Sequence, residues 1–87
     1  MQNKREARAA MKRRLGLLKV QRGCVDCGYN QYAEALDWDH VLGTKVANVS
    51  KLVRDRVGWL RILAEIDKCV VRCANCHRVK TSERAGR

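Results

Sequence analysis

The sequence predicts one small α+β domain in which segments from near the two ends of the chain meet. At 87 residues the chain can bury only roughly 60–65% of the surface that its unfolded form exposes, so its core is small. Two cysteine pairs, Cys24 with Cys27 and Cys73 with Cys76, each have two residues between their members. This spacing lets four thiolates surround one zinc ion, and we expect a closed, structural zinc site that joins the two ends.

The five cysteines also bear on the cellular compartment. An odd number argues against a closed set of disulfides, and paired cysteines in a reducing cytoplasm more often bind metal. A thioredoxin-like role would use one pair and leave the other unexplained. We expect Cys69 to be a small buried thiol, with a fifth zinc ligand as the alternative. Because no apolar run approaches the roughly 20 residues that span a bilayer, we expect a cytoplasmic protein with no membrane partner.

The formal net charge of +10 is confined to the two ends of the chain. Residues 1–22 carry eight basic groups and one acidic group, and residues 78–87 carry four and one, so the middle has no net charge. A neutral centre with two basic flanks suits a compact site held against a polyanion, and nucleic acid is the polyanion that we expect. The alternative is that the basic ends only keep a small protein in solution.

The first predicted element is a helix over residues 3–19, within a basic N-terminal arm of residues 1–22 that precedes a main domain of residues 23–87. Apolar side chains recur on one face of this helix, at Met11, Leu15 and Leu18. Basic side chains follow one another at i, i+4 and i+8 along another face, at Lys4, Arg8 and Lys12. This ridge fits along a phosphate backbone; the alternative is a solvated helix face.

The second predicted element is a short strand over residues 35–41. Its apolar and acidic side chains alternate, which places Asp37 and Asp39 together on one face. His40 would lie on the opposite, apolar face of a regular strand. For Asp39 and His40 to serve one site, we therefore expect the backbone to bend near residues 42–45, where Gly43 permits it.

The second half of the chain alternates helix and strand patterns. In the helix over residues 59–68, the residues expected to face inward are Leu60 and Leu63, with Ile66 and Ala64 as further candidates. Arg61 and Glu65 are expected to pair at i, i+4 on the outer face. The predicted elements are a turn or two of helix within residues 46–57, capped by Asn48 or Ser50, a helix over 59–68, a strand over 70–72 and a final helix from residue 76 or 77 to about 84.

The two histidines of the chain stand beside other candidate ligands. His40 follows Asp39, and His77 follows the last cysteine of the second pair. Phosphodiester hydrolysis uses these residue types, because a carboxylate holds a divalent cation on the phosphate and a neutral imidazole takes a proton from the attacking water. The alternatives are that both histidines are structural, or that His77 replaces a cysteine on the zinc.

These motifs together resemble the HNH endonucleases of the ββα-metal class, in the small variant with two cysteine knuckles. The resemblance covers about two thirds of the chain and implies a ββα-metal finger. It implies that His40 is the general base and that Asp39 and His77 hold a catalytic Mg²⁺ or Mn²⁺, with Ni²⁺ expected as a substitute. The matching segments are Cys24-Val-Asp-Cys27-Gly28, Leu36-Asp37-Trp38-Asp39-His40, Glu65-Ile-Asp-Lys-Cys69 and Cys73-Ala-Asn-Cys76-His77-Arg78-Val-Lys80-Thr81.

The chain lacks the asparagine that corresponds to the N in the family name HNH. That residue usually lies nine positions before the last histidine, where this chain has Lys68. Lysine cannot accept a hydrogen bond, so the loop that aims the base histidine must be held in another way. The nearest substitute is Asn75, although an asparagine between knuckle cysteines can equally satisfy backbone groups of the turn.

The resemblance implies hydrolysis of DNA to products with a 5′ phosphate, in the cytoplasm of a bacterial host if the protein is phage-encoded. We expect mostly phosphate contacts and low sequence specificity, through Arg78 and Lys80 together with the N-terminal basic ridge. One alternative is a non-catalytic, zinc-stabilised module that binds DNA or RNA. Another is an accessory factor that works with phage terminase and packaging proteins, which is compatible with catalysis. Nicking or double-strand cleavage, and monomer or dimer, remain open.

Overall fold

The computed structural model describes residues 4–86 of the chain. It is a small α+β fold built on a two-stranded antiparallel sheet, as the sequence predicts. Residues 1–3 of the predicted arm and residue 87 lie outside the described residues. The elements are helix α1 (Lys4–Arg22), a 3₁₀ turn (Ala33–Ala35), strand β1 (Leu36–His40), helices α2 (Val49–Arg54) and α3 (Trp59–Ile66), strand β2 (Cys69–Cys73) and helix α4 (Ala74–Arg84).

The sheet brings the motifs near the two ends of the chain together. Strand β1 pairs with β2 so that Leu36 faces Cys73 and His40 faces Cys69. Helix α4 begins directly after β2 and contacts both strands, which places His77 beside β1. Two backbone hydrogen bonds from Val41 and Leu42 to the carbonyl of Lys68 continue the pairing just beyond His40.

The core consists of two clusters that meet at Trp38. The first lies between α1, α2 and α3, and the second joins the sheet to the cysteines. Leu15 is only 4% exposed, so α1 shares the core of the remaining chain through its apolar face. The buried members are Leu15, Val49, Leu52, Ile62 and Ile66 in the first cluster, and Cys24, Leu36, Val71 and Cys73 in the second.

Helix α3 presents a different face to the core from the predicted one. Leu60, expected to face inward, is 79% exposed, and the buried residues of the helix are Ile62, Glu65 and Ile66. The expected inward residues Leu63 and Ile66 do contact the core, Leu63 as a partly buried side chain. The predicted outer pair of Arg61 and Glu65 is therefore wrong. A charged residue is tolerated at position 65 because it finds hydrogen-bonding partners inside the protein.

Within residues 4–86, no helix has both the length and the apolar character that crossing a membrane requires.

Candidate functional site

Four cysteines form one compact cluster. The sulfur atoms of Cys24, Cys27, Cys73 and Cys76 all lie within 4.8 Å of one another, and those of Cys27 and Cys73 are 3.7 Å apart. Four sulfurs placed about 2.3 Å from a zinc ion at the corners of a tetrahedron are about 3.8 Å apart. All four are free thiols. The cluster therefore has the number, type and spacing of ligands that suit a structural zinc ion, as the sequence predicts.

Two backbone turns aim these sulfurs. The turn at Cys24 is closed by a 2.8 Å bond from the amide of Gly28 to the carbonyl of Cys24, and Gly28 has a φ of 80°, which glycine adopts at low cost. The second turn is the start of α4, where the sulfur of Cys73 accepts the amide of Cys76. A 2.8 Å bond from Val25 to the carbonyl of Val71 holds the two turns together.

The thiols are electrostatically interdependent. Burial raises the pKa of Cys24, but the backbone N–H groups of Cys73, Cys27 and Asp26 more than offset this and lower the pKa to about 6. The neighbouring Cys73 side chain and burial raise the pKa of Cys76 to about 12. Four thiolates in contact repel one another, and a divalent cation among them removes this penalty.

Cys69 lies apart from this cluster. It is 7% exposed, and its thiol donates to the carbonyl of Glu65 at 3.5 Å. Burial raises its pKa to about 11, so it is an inert thiol at neutral pH. It fits the prediction of a small buried side chain.

His77 lies between the two aspartates of β1. Its Nδ1 is 2.9 Å from Oδ2 of Asp37, and its Nε2 is 3.6 Å from Oδ1 of Asp39. A proton on Nδ1 donated to Asp37 leaves the lone pair of Nε2 facing Asp39, which is the usual way a carboxylate orients a metal-binding histidine. Two ligands about 2.1 Å from one ion lie about 3.0 Å apart at right angles and up to about 4.2 Å apart when opposite. The 3.6 Å between Asp39 and His77 falls within this range, but among residues 4–86 the four cysteines are the group of three or more side chains at metal-binding spacing.

Asp39 also contacts two arginines. Its carboxylate is 5% exposed and accepts hydrogen bonds from Arg72 on Oδ2 and from Arg84 on both oxygens, the latter at 3.1 Å. Burial raises the pKa of Asp39, but the bonds from Arg84 and Arg72 lower it below its usual value. Arg72 is nearly buried, whereas the side chain of Arg84 is 45% exposed. An ion on Oδ1 would therefore compete with the exposed Arg84.

His40 lies on the opposite face of β1, against α3. Its Nε2 is 2.8 Å from Oε2 of Glu65, and its side chain is 13% exposed. Burial raises the pKa of Glu65, but Lys68, the amide of Val46 and His40 together lower it to about 2. Glu65 is thus ionised and can only accept, so Nε2–H of His40 donates the hydrogen bond to it. The contact of Glu65 with His40 was not predicted from the sequence. The available signal was that Glu65 shares a helix face with Ile62 and Ile66, which favours an inward position.

Both histidines line one open cleft, but β1 is regular through His40, so the expected bend does not bring His40 to the face of the strand that carries Asp39. The cleft has a volume of about 640 Å³, and α1, β1 and α2 form its walls. Basic side chains from two helices surround the histidines, which gives the cleft a positive rim. The residues that define it chemically are His40, His77, Asp37, Arg8, Lys12, Lys19 and Arg54. Two of the three predicted ridge residues, Arg8 and Lys12, therefore line the same cleft as the predicted catalytic histidine.

The remaining candidate residues lie outside this cleft. Asn75 and Arg78 line a separate groove, which shares Asp37 and His77 with the cleft but does not include His40. Lys80 lies on α4, 3.8 Å from Glu83, and Lys4 is exposed at the start of α1. Lys68, at the position where the asparagine was expected, is partly exposed and forms a salt bridge with Glu65.

Comparisons with protein-family models, with curated proteins and with solved structures found no match to this chain. Its function must therefore be inferred from the arrangement of its own side chains. Two features carry that inference, the four-cysteine cluster and the basic cleft that contains both histidines.

Proposed function

We propose that the protein is a metal-dependent endonuclease of the HNH type that hydrolyses phosphodiester bonds in DNA. The observation that carries this proposal is that His40, His77 and Asp37 line one cleft with basic side chains of α1, while His77 also contacts Asp39 outside the cleft lining. The order of elements is compatible with it, because β1 and β2 pair although α2 and α3 lie between them in the chain, and β2 is followed directly by the helix that carries His77. A backbone phosphate placed in this cleft meets a candidate base and cationic side chains together.

The two histidines have different roles in the proposed mechanism. In the neutral His40 ring, Nε2–H donates to the ionised Glu65, and Nδ1 carries the lone pair that accepts a proton from the attacking water. Asp39 and His77 would hold the divalent ion, with Asp37 orienting the His77 ring. The ion supplies Lewis-acid stabilisation of the charge that develops on the phosphate and on the leaving 3′ oxygen. The mixed nitrogen and oxygen ligands favour Mn²⁺ or Ni²⁺ as well as Mg²⁺.

This function is tested on supercoiled plasmid DNA with each of these three ions in turn. We expect nicked circles that DNA ligase reseals without prior phosphorylation, since attack by water with loss of the 3′ oxygen leaves a 5′ phosphate. Nicks that ligase cannot seal would contradict the proposed bond cleavage. DNA binding without nicking in Mg²⁺, Mn²⁺ and Ni²⁺ would contradict the enzyme altogether.

The second candidate function is a non-catalytic module that binds DNA or RNA and is stabilised by zinc. The ion pairs of Asp39 favour it, because both of its oxygens already accept hydrogen bonds from arginines. At constant ionic strength, a module of this kind would bind nucleic acid with the same affinity whether or not Mg²⁺ or Mn²⁺ is added.

We expect the basic side chains beside the cleft to contact DNA phosphates. The double variant Arg8→Gln and Lys12→Gln should reduce the slope of log affinity against log salt by about 1.8, since each phosphate contact contributes about 0.9. The measurement is fluorescence anisotropy with a labelled duplex at several salt concentrations.

The matched control changes two basic residues of the same helix that do not line the cleft, Arg5→Gln and Arg13→Gln. Both double variants remove two charges, so general electrostatic attraction falls equally. An equal loss of slope in the two variants would mean that the cleft is not the DNA-binding surface.

A further inference from the structure

The buried carboxylate of Glu65 connects the candidate base to the loop that follows it. Glu65 is 3% exposed and lies on the same helix face as Ile62 and Ile66. One of its oxygens contacts His40 at 2.8 Å and the amide of Val46 at 3.0 Å, and the other accepts from Lys68 at 2.9 Å. An apolar side chain here would extend the core without burying a charge, so core packing alone does not account for a glutamate.

Lys68 holds the same loop from the other side. Its carbonyl accepts the amides of Val41 and Leu42 at 2.8 and 3.0 Å, and its Nζ donates to the carbonyl of Thr44 at 2.7 Å. Together with the bond from Val46 to Glu65, these contacts attach residues 41–46 at four points. The loop begins directly after His40, so its attachment limits the movement of that residue.

We propose that Glu65 is a positioning residue for His40, and that Lys68 assists by holding both Glu65 and the 41–46 loop. This inference rests on the proposed nuclease function. In the neutral His40 ring, Glu65 accepts a hydrogen bond from Nε2–H, which leaves Nδ1 as the acceptor and fixes the direction of the ring. Lys68 stands where an asparagine was expected and cannot accept a hydrogen bond. Lys68 and Glu65 together can both donate hydrogen bonds to the loop and accept them from it, because Lys68 donates to Thr44 and Glu65 accepts from Val46.

The test is a double-mutant cycle of Glu65→Gln and His40→Ala, assayed by plasmid nicking with Mn²⁺. Glu65→Gln should lower kcat roughly 10- to 100-fold, the usual cost of losing such a supporting contact, with KM and zinc content unchanged. In the His40→Ala background the same change should have no further effect, because its target is gone. An unchanged kcat, or an equal loss in both backgrounds, would overturn the inference.

Two further measurements separate this inference from the proposed function. In the wild-type protein labelled with ¹⁵N-histidine, NMR should detect an Nε2–H signal of His40 protected from exchange with solvent, and Glu65→Gln should weaken that protection. A wild-type protein that shows the signal but does not nick DNA would contradict the nuclease and leave the Glu65 contact in place. Absence of the signal would contradict the contact itself.

Lys68→Gln provides a second variant in case the buried change at Glu65 prevents folding. The Lys68 side chain is 25% exposed, so its replacement disturbs the core less. We expect the same pattern with a smaller loss of kcat, because Glu65 keeps its contacts with His40 and Val46. A Lys68→Gln enzyme with wild-type kcat would remove Lys68 from the proposal.

Discussion

Replacing Cys24 with serine should leave the protein unfolded at 25 °C and without bound zinc. Cys24 is 4% exposed and belongs both to the four-cysteine cluster and to one of the two core clusters. Structural zinc sites supply about 10–16 kcal/mol in small zinc-dependent peptides, whereas whole domains are stable by only about 5–15 kcal/mol. The loss of one ligand should therefore exceed what the small core of this chain can supply.

Circular dichroism and zinc analysis measure this effect, with Cys69→Ser as the matched control. Cys69 is buried like Cys24 and Cys73 but lies outside the cluster, so its change should cost about 1 kcal/mol and leave one zinc ion per chain. A Cys24→Ser variant that melts at the wild-type temperature and holds one zinc would show that the cluster does not stabilise the fold.

The cysteine cluster was predictable because its determinants are local. Two residues between cysteines define a turn that aims two sulfurs at one point, and four soft ligands on two such turns can share one ion. The predicted strands, 35–41 and 70–72, end within one residue of the observed ones. Alternation of apolar and acidic side chains marks β1 directly. The start of α4 was less apparent, because Cys73 acts both as the last residue of β2 and as the cap of the helix.

The inner face of α3 was not predictable in the same way. Leu60 with Leu63 and Ile62 with Ile66 both have helical spacing, and an eight-residue helix is too short for periodicity to choose between them. The choice depends on tertiary partners. Glu65 becomes internal because His40, Lys68 and the amide of Val46 surround it, and these groups lie on other segments of the chain or on the turn after α3.

The surroundings of Asp39 show the same limit for the candidate site. The adjacent Asp39 and His40 indicate the chemistry from sequence alone, but nothing in their spacing points to Arg72 and Arg84, which lie 33 and 45 residues further along. Contacts between distant charged residues depend on how the helix and strands pack. For the same reason the orientation of His77 by Asp37, 40 residues away, emerges only from the structure.

Replacing His40 with alanine should lower the rate of DNA cleavage by about 10²–10⁴-fold, the usual contribution of a general base. The fold should survive, because Glu65 keeps its contacts with Lys68 and Val46 and the cysteine cluster lies at the other end of β1. DNA affinity should also persist, since the basic side chains of α1 remain in place. The loss should therefore appear in the cleavage step and not in binding.

The most direct test compares wild-type and His40→Ala proteins in single-turnover nicking of a supercoiled plasmid with Mn²⁺. Both proteins are first shown to hold one zinc ion and to bind the plasmid equally. The proposed function predicts nicking by the wild type that requires Mn²⁺ and a rate at least about 100-fold lower for the variant. Equal nicking by the two proteins, or none by the wild type, would contradict it.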